Sequence, residues 1–144
     1  MDIEGTPRGL VVTTGTGAQT LPASPSASAN VTCGSGAFGS YVEFRAATGN
    51  AIYITGFTVK GSPGSGDCQI QIGTGAAASE SVVGVYAVPA LSAAGYVHLV
   101  FPHPIPVAAS TRVAVAAAYF SATNTLTMML DVIDQANVTT RFIS

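Results

Sequence analysis

Residues 72–78, Ile-Gly-Thr-Gly-Ala-Ala-Ala, hold the one spacing in this chain that could cradle a cofactor. Gly73-x-Gly75-x-x-Ala78, after an alternating strand, has the outline of a dinucleotide-binding turn. Such a turn aims a helix N-terminus at a pyrophosphate, inside a βαβ unit. The residues that follow, 79–89, are β-branched and broken by Gly84 and Pro89. They read as a strand, and no βαβ pattern occurs elsewhere, so no cofactor is expected. No Gly-Lys-Ser/Thr follows, which excludes a P-loop.

The other reactive side chains are scattered. His98 lies on an alternating strand, and His103 sits between Pro102 and Pro104. Neither stands near the Gly-x-Ser-x-Gly elbow that presents a nucleophile. His98 reads as a strand residue with a satisfied ring, His103 as a loop or interface residue. His98, His103 and either Asp131 or Asp134 lack a diagnostic metal spacing. Paired carboxylates could serve a glycosidase, but such enzymes usually stack sugar on aromatics, and this chain has no Trp. We therefore assign no catalytic residue, no metal and no cofactor, and expect a non-enzymatic protein. Cys33 and Cys68 are the only cysteines. Cys68 alternates in register with Ile70 and Ile72, as a buried thiol would. A Cys33–Cys68 bridge stays open, because spacing alone does not set its geometry.

Composition narrows the class. Charged residues make up 8% of the 144, against about 25% in an average soluble chain. Mean hydropathy is +0.46. The charge-free stretch 81–110 contains Gly84, Pro89, Gly95, Pro102, Pro104 and Pro106, so it is no spanning helix. Residues 1–5 are acidic and lack a basic-then-apolar leader. The expectation is a soluble, unprocessed protein made in the cytosol, with no membrane partner. The basic residues Arg8, Arg45, Lys60, Arg112 and Arg141 are scattered, so direct nucleic-acid binding is not expected. The apolar excess is largely Ala, beside abundant Gly, Ser and Thr. A domain with so little charge is expected to cover its surface with other chains.

Periodicity supplies the elements. Residues 1–29 read as an extended N-terminal arm, with Leu10, Val11 and Val12 as an apolar tip over a Gly/Ser/Ala/Pro-rich stretch. Such an arm is either a linker or a strap along a neighbouring subunit. From residue 30 to 144 short strands follow one another. Residues 40–47 alternate, with Val42, Phe44 and Ala46 on one face and Tyr41, Glu43 and Arg45 on the other. Residues 48–50 read as a hairpin-type connection. In 51–60, Ile52 and Ile54 share one parity and Phe57 and Val59 the other, so Thr55-Gly56 reads as a β-bulge. Residues 81–88 put Val83 and Val85 inward. Residues 96–101 form a strand, and the prolines of 101–106 keep the next stretch extended but unpaired. Residues 111–119 and 125–133 alternate again, and 140–143 could add an edge strand. The fold class is all-β, an antiparallel, jelly-roll-like β-sandwich carrying that arm.

Two segments carry a resemblance. Residues 72–80 (Ile-Gly-Thr-Gly-Ala-Ala-Ala-Ser-Glu) and 101–115 (Phe-Pro-His-Pro-Ile-Pro-Val-Ala-Ala-Ser-Thr-Arg-Val-Ala-Val) resemble a pattern in small structural proteins of tailed bacteriophages. That pattern runs Ile-Gly-x-Gly-Ala-Ala-Gly-Ser-Glu, then Phe-Pro-x-Pro-Ile-x-x-Pro-x-Gly-Thr-Arg entering a strand. The match covers roughly residues 67–119. Ala78 and Ser110 stand where the pattern has Gly, which leaves room for a different turn geometry. The resemblance implies a virion β-sandwich without catalytic residues: a capsid decoration subunit, or a head-fibre, neck or tail component.

The expected partners are further copies of the chain, as a trimer, together with the major capsid protein or another virion protein. The expected contact residues are Leu10, Val11, Val12, Glu80, His103 and Arg112. Glu80 is expected to tie its turn to a cation such as Arg112, in the same chain or a neighbour. The alternative is a receptor- or carbohydrate-binding module of a head fibre or tail, using Tyr86 or Tyr96.

Overall fold

The computed structural model describes residues 10–12, 18–22, 28–60, 67–89, 95–119 and 123–140. Its strands are β1 (Leu10–Val12), β2 (Ala18–Leu21), β3 (Ala29–Ser35), β4 (Val42–Arg45), β5 (Ile52–Lys60) and β6 (Cys68–Thr74). They continue with β7 (Ser81–Val88), β8 (Tyr96–Val107), β9 (Val113–Tyr119), β10 (Thr125–Asp134) and β11 (Val138–Thr140). The chain is all-β and forms a jelly-roll-like sandwich with a near-barrel outline.

The hydrogen-bonded path runs β7-β6-β9-β3-β10-β5-β8. The first half of β3 pairs antiparallel with β10, through Ala29↔Met128 to Thr32↔Thr125. Its second half pairs parallel with β9, through Cys33↔Ala117 to Ser35↔Tyr119. One strand thereby joins two sheets. Sheet one holds β8, β5, β10 and β2; sheet two holds β7, β6, β9 and β4. The parallel β3–β9 pair makes the arrangement mixed where the sequence suggested antiparallel pairing throughout.

The core lies between the inner faces. Ile54, Phe57 and Val59 of β5 meet Val31 of β3 and Leu126, Met128 and Leu130 of β10. Ile70 and Ile72 of β6 and Val113, Val115 and Ala117 of β9 face them from sheet two. All are essentially without exposure, and no polar or charged residue among the described ones is buried. The gap between β7 and β8 is filled by aromatic rings. Tyr86 stacks on Phe101 at 4.3 Å, and both lie edge-on to Phe57 at 5.8 Å. Edge-to-face and offset contacts of this kind suit the ring quadrupole.

Several local expectations hold. The register shifts between Ile54 and Gly56 against β8, which places the bulge at Thr55-Gly56. Residues 75–80 do connect antiparallel strands, β6 and β7. Others need correction. Val83 and Val85 face outward; Gly84, Tyr86 and Val88 register with Ile72, Ile70 and Cys68 and share their inner face. β7 spends its inward positions on the Tyr86 stack, so its valines fall on the other parity. β8 runs on to Val107 and pairs with β5 again through Ile105↔Ile54 and Pro106↔Tyr53. As an end strand, β8 needs a ladder on one side only, which lets it hold prolines. Residues 48–50 are no hairpin: β4 belongs to sheet two and β5 to sheet one, so the chain crosses between sheets there.

Within residues 1–29, β1 pairs with β11 and β2 with β10. The side chains of Leu10, Val11 and Val12 lie outside the described residues, as does the segment 141–144.

Candidate functional site

Arg112 stands one residue before β9, at the base of the β6–β7 turn. Its Nη1 donates to Glu80 Oε1 at 2.7 Å, and its Nε donates to Glu43 Oε2 at 2.8 Å. The Glu80 and Arg112 side chains are 5% and 12% exposed, while Glu43 is half exposed. Hydrogen bonding by Arg112 holds the Glu80 carboxyl below its ordinary range, and the same bond raises Arg112. The main chain adds a tie, since Gly75 N–H donates to Arg112 O at 3.1 Å. The expected Glu80–Arg112 link is therefore present, within one chain. A side chain at Gly73 would meet the Tyr41 ring at 2.8 Å and the Glu80 Cβ at 3.0 Å. Tyr41 also hydrogen-bonds Gln71. Gly73 and Gly75 thus serve close packing and a tight turn, and no helix follows to receive a phosphate.

Among the described residues, Ala78 and Ser110 are the two non-glycine residues at positive φ, 65° and 55°. At both positions the phage pattern described above has Gly where this chain does not.

His98 and Asp131 form a second polar pair. Nε2 of His98 lies 2.8 Å from Asp131 Oδ2, on the outer face of sheet one, where β8 and β10 flank β5. The sequence set His98 with Asp131 or Asp134 only as a metal grouping of undiagnostic spacing; register makes the pair, since His98 lies across from Thr58, and Thr58 from Met129, beside Asp131. His103 is elsewhere, exposed in the irregular part of β8. Among the described residues no group of three His, Cys, Asp or Glu is placed to hold a metal ion. No helix among them is long and apolar enough to cross a membrane.

Arg45 does not serve the surface alone. Its guanidinium donates to the carbonyls of Thr111, Asn50 and Ala108 at 2.8–3.1 Å, clasping the loops at that end of the sandwich. Cys33 and Cys68 are both buried free thiols. Burial, then the neighbouring Cys68, pushes the Cys33 thiol up to about 12. β3 and β6 flank β9, so their backbones stand about two strand spacings apart, roughly 10 Å. The two thiols are nonetheless neighbours whose side chains hydrogen-bond, and no disulfide joins them.

The remaining surface feature is apolar. Val82, Val83 and Val85 of β7 are 53%, 38% and 51% exposed, and Tyr96 and Val100 of β8 are 71% and 65% exposed. β7 and β8 are the two ends of the strand path. Tyr86, by contrast, is engaged in its ring stack and is not free to hold a ligand. No family model matches the chain, and comparison with curated proteins and with solved structures finds no match.

Proposed function

We propose that this chain is a non-enzymatic structural subunit of a tailed-bacteriophage virion, a decoration subunit that coats or braces the shell through homo-oligomeric β-sandwich contacts. The observation that carries the reading is the backbone of Ala78 and Ser110. Where the phage pattern has Gly, this chain keeps the positive φ that Gly is there to supply. The low charge and the exposed apolar end strands support the assembly side of the reading. Such a subunit works by area: many weak, repeated seats on a symmetric shell add up to stable attachment. Its partners are further copies and the major capsid protein or another virion protein.

The test is cosedimentation of the purified chain with undecorated phage shells and with tail tubes, followed by imaging of the shells. Saturable binding at repeated lattice positions is expected. Failure to bind either structure would sink the reading.

One observation favours a second reading. Tyr96, the most exposed aromatic among the described residues, shares the outer face of sheet one with the His98–Asp131 pair. An aromatic platform beside polar groups can hold a sugar, as in a receptor-binding module of a head fibre. Glycan-array binding that is lost in Tyr96→Ala would favour it over shell decoration.

A further inference from the structure

The N-terminal arm docks on one continuous stretch of the chain. Among the described residues β1 pairs with β11 alone and β2 with β10 alone, so both arm strands lie within residues 130–140. Leu21 fastens the arm: it is a core residue, set across from Leu130. Without β2, residues 130–133 would keep β5 on one side, lose their partner on the other, and leave a leucine-sized gap in the core.

β2 and β3 share one side of β10, run in the same direction and lie end to end. Leu21 faces Leu130 and Ala29 faces Met128. The two strand ends are thus two residues apart along β10, about 7 Å. A single residue would bridge that gap within a strand, yet residues 22–28 stand between Leu21 and Ala29. Fully extended, a connection of that length reaches about 26 Å. A closed subunit does not need this reach, whereas an arm crossing to a neighbour does.

The edge also identifies its occupant. Its register and its leucine site already fit residues 18–21 of this chain, and a second copy carries the same segment. Passing the arm to that copy keeps every arm contact, because the receiving β10 and β11 are identical. Exchange of an identical element is a low-cost route to an oligomer. We propose that in the assembled protein β1 and β2 of one copy lie on β11 and β10 of a second copy, with residues 22–28 crossing between them. The inference rests on the assembly reading above and names its contact. Arms passed in one direction around a ring suit the trimer that the resemblance implies.

The test is the double variant Thr20→Cys/Asp131→Cys, oxidised in the assembled protein. Thr20 and Asp131 are register partners, and neither belongs to the core. Directly opposed antiparallel residues have Cα atoms about 4.5–5.5 Å apart, inside the disulfide range of about 4.4–6.8 Å. On a denaturing, non-reducing gel, exchanged arms give covalent dimers or larger species, and arms kept within their own chain give a cross-linked monomer. Each single variant should give no such oligomer. A second readout uses the wild type, co-refolded from isotope-labelled and unlabelled chains. Filtered NOEs between residues 18–21 of one copy and 130–133 of the other are expected. A cross-linked monomer, or the absence of those NOEs, would overturn the inference, and the NOEs decide if the double variant does not fold. Arms kept at home in a chain that still coats shells overturn the exchange alone. Exchanged arms in a protein that binds neither shells nor tail tubes overturn the shell reading alone.

Discussion

Arg112 holds Glu80 at 2.7 Å and Glu43 at 2.8 Å, so one guanidinium fastens the β6–β7 turn to β4 across the start of β9. The fork geometry of Arg suits two carboxylates at once. Removing Glu80 therefore loosens the turn while leaving the Glu43 contact in place. Removing Arg112 frees both carboxylates and is the larger loss.

The first prediction concerns pH. Arg112 keeps the native Glu80 pKa below its unfolded value. Such a group adds stability above the unfolded pKa, and that stability is lost as pH falls through the native pKa. Glu80→Gln should be less stable than the wild type at pH 7, and the gap should close in acid. Urea midpoints across a pH series check it. A gap that does not change with pH would mean that the carboxylate charge is not what fastens the turn.

Gly56 carries the second prediction. It sits in the β5 bulge between β8 and β10, and a Cβ there would lie 2.1 Å from the Leu99 carbonyl oxygen. That atom is backbone in a paired strand and cannot swing aside. Gly56→Ala should cost about 3 kcal/mol, the upper end of the usual overpacking range. Equilibrium unfolding in urea measures it, and a cost near zero would mean that β8 can shift away.

These two cases show what the sequence could and could not disclose. The Thr55-Gly56 bulge was legible, because Ile52 and Ile54 change parity with Phe57 and Val59 across it. The Glu80–Arg112 link was legible in part: a lone acid ends the small-residue turn, and Arg112 was a named cation for it, with the chain that supplies the cation left open. The facing of β7 was not. Val83 and Val85 look like inward residues, but Tyr86 fills the space beside Phe57 and Phe101, and a side chain of that size decides the parity of its strand. The change of sheet within β3 was hidden too, since a seven-residue alternation looks the same whether its two halves share a partner or not. The His98–Asp131 pair arises from register over three strands, which local periodicity does not carry.

The third prediction is chemical. Cys33 and Cys68 are buried, and burial pushes both thiols up. The thiolate is the reactive form. The native protein should resist alkylation by iodoacetamide near pH 8, and both residues should label in urea. The sign for stability follows. The unfolded Cys33 thiol ionises near its ordinary value of 9.0 while the native one stays protonated to about 12. Stability should therefore fall as pH rises through that window. Cys33→Ala, which has no thiol to ionise, should show a shallower fall. Rapid native labelling of either residue would contradict the burial.

The last prediction returns to Ala78 and Ser110. Both are exposed, at φ 65° and 55°. A Cβ in the left-handed region costs about 1–2 kcal/mol. Glycine removes that strain but gives the unfolded chain more freedom, which offsets about 0.5–1 kcal/mol. Ala78→Gly and Ser110→Gly should each stabilise the protein by about 0.5–1 kcal/mol, read as a higher urea midpoint with an unchanged slope. The two turns touch through Arg112, whose carbonyl accepts from Gly75 and whose side chain holds Glu80. The double variant should thus gain from both changes, with a small departure from additivity that Arg112→Ala abolishes. Destabilisation by either glycine would mean that the left-handed backbone is not strained, and would remove the reason for reading these positions as glycine sites of the phage pattern.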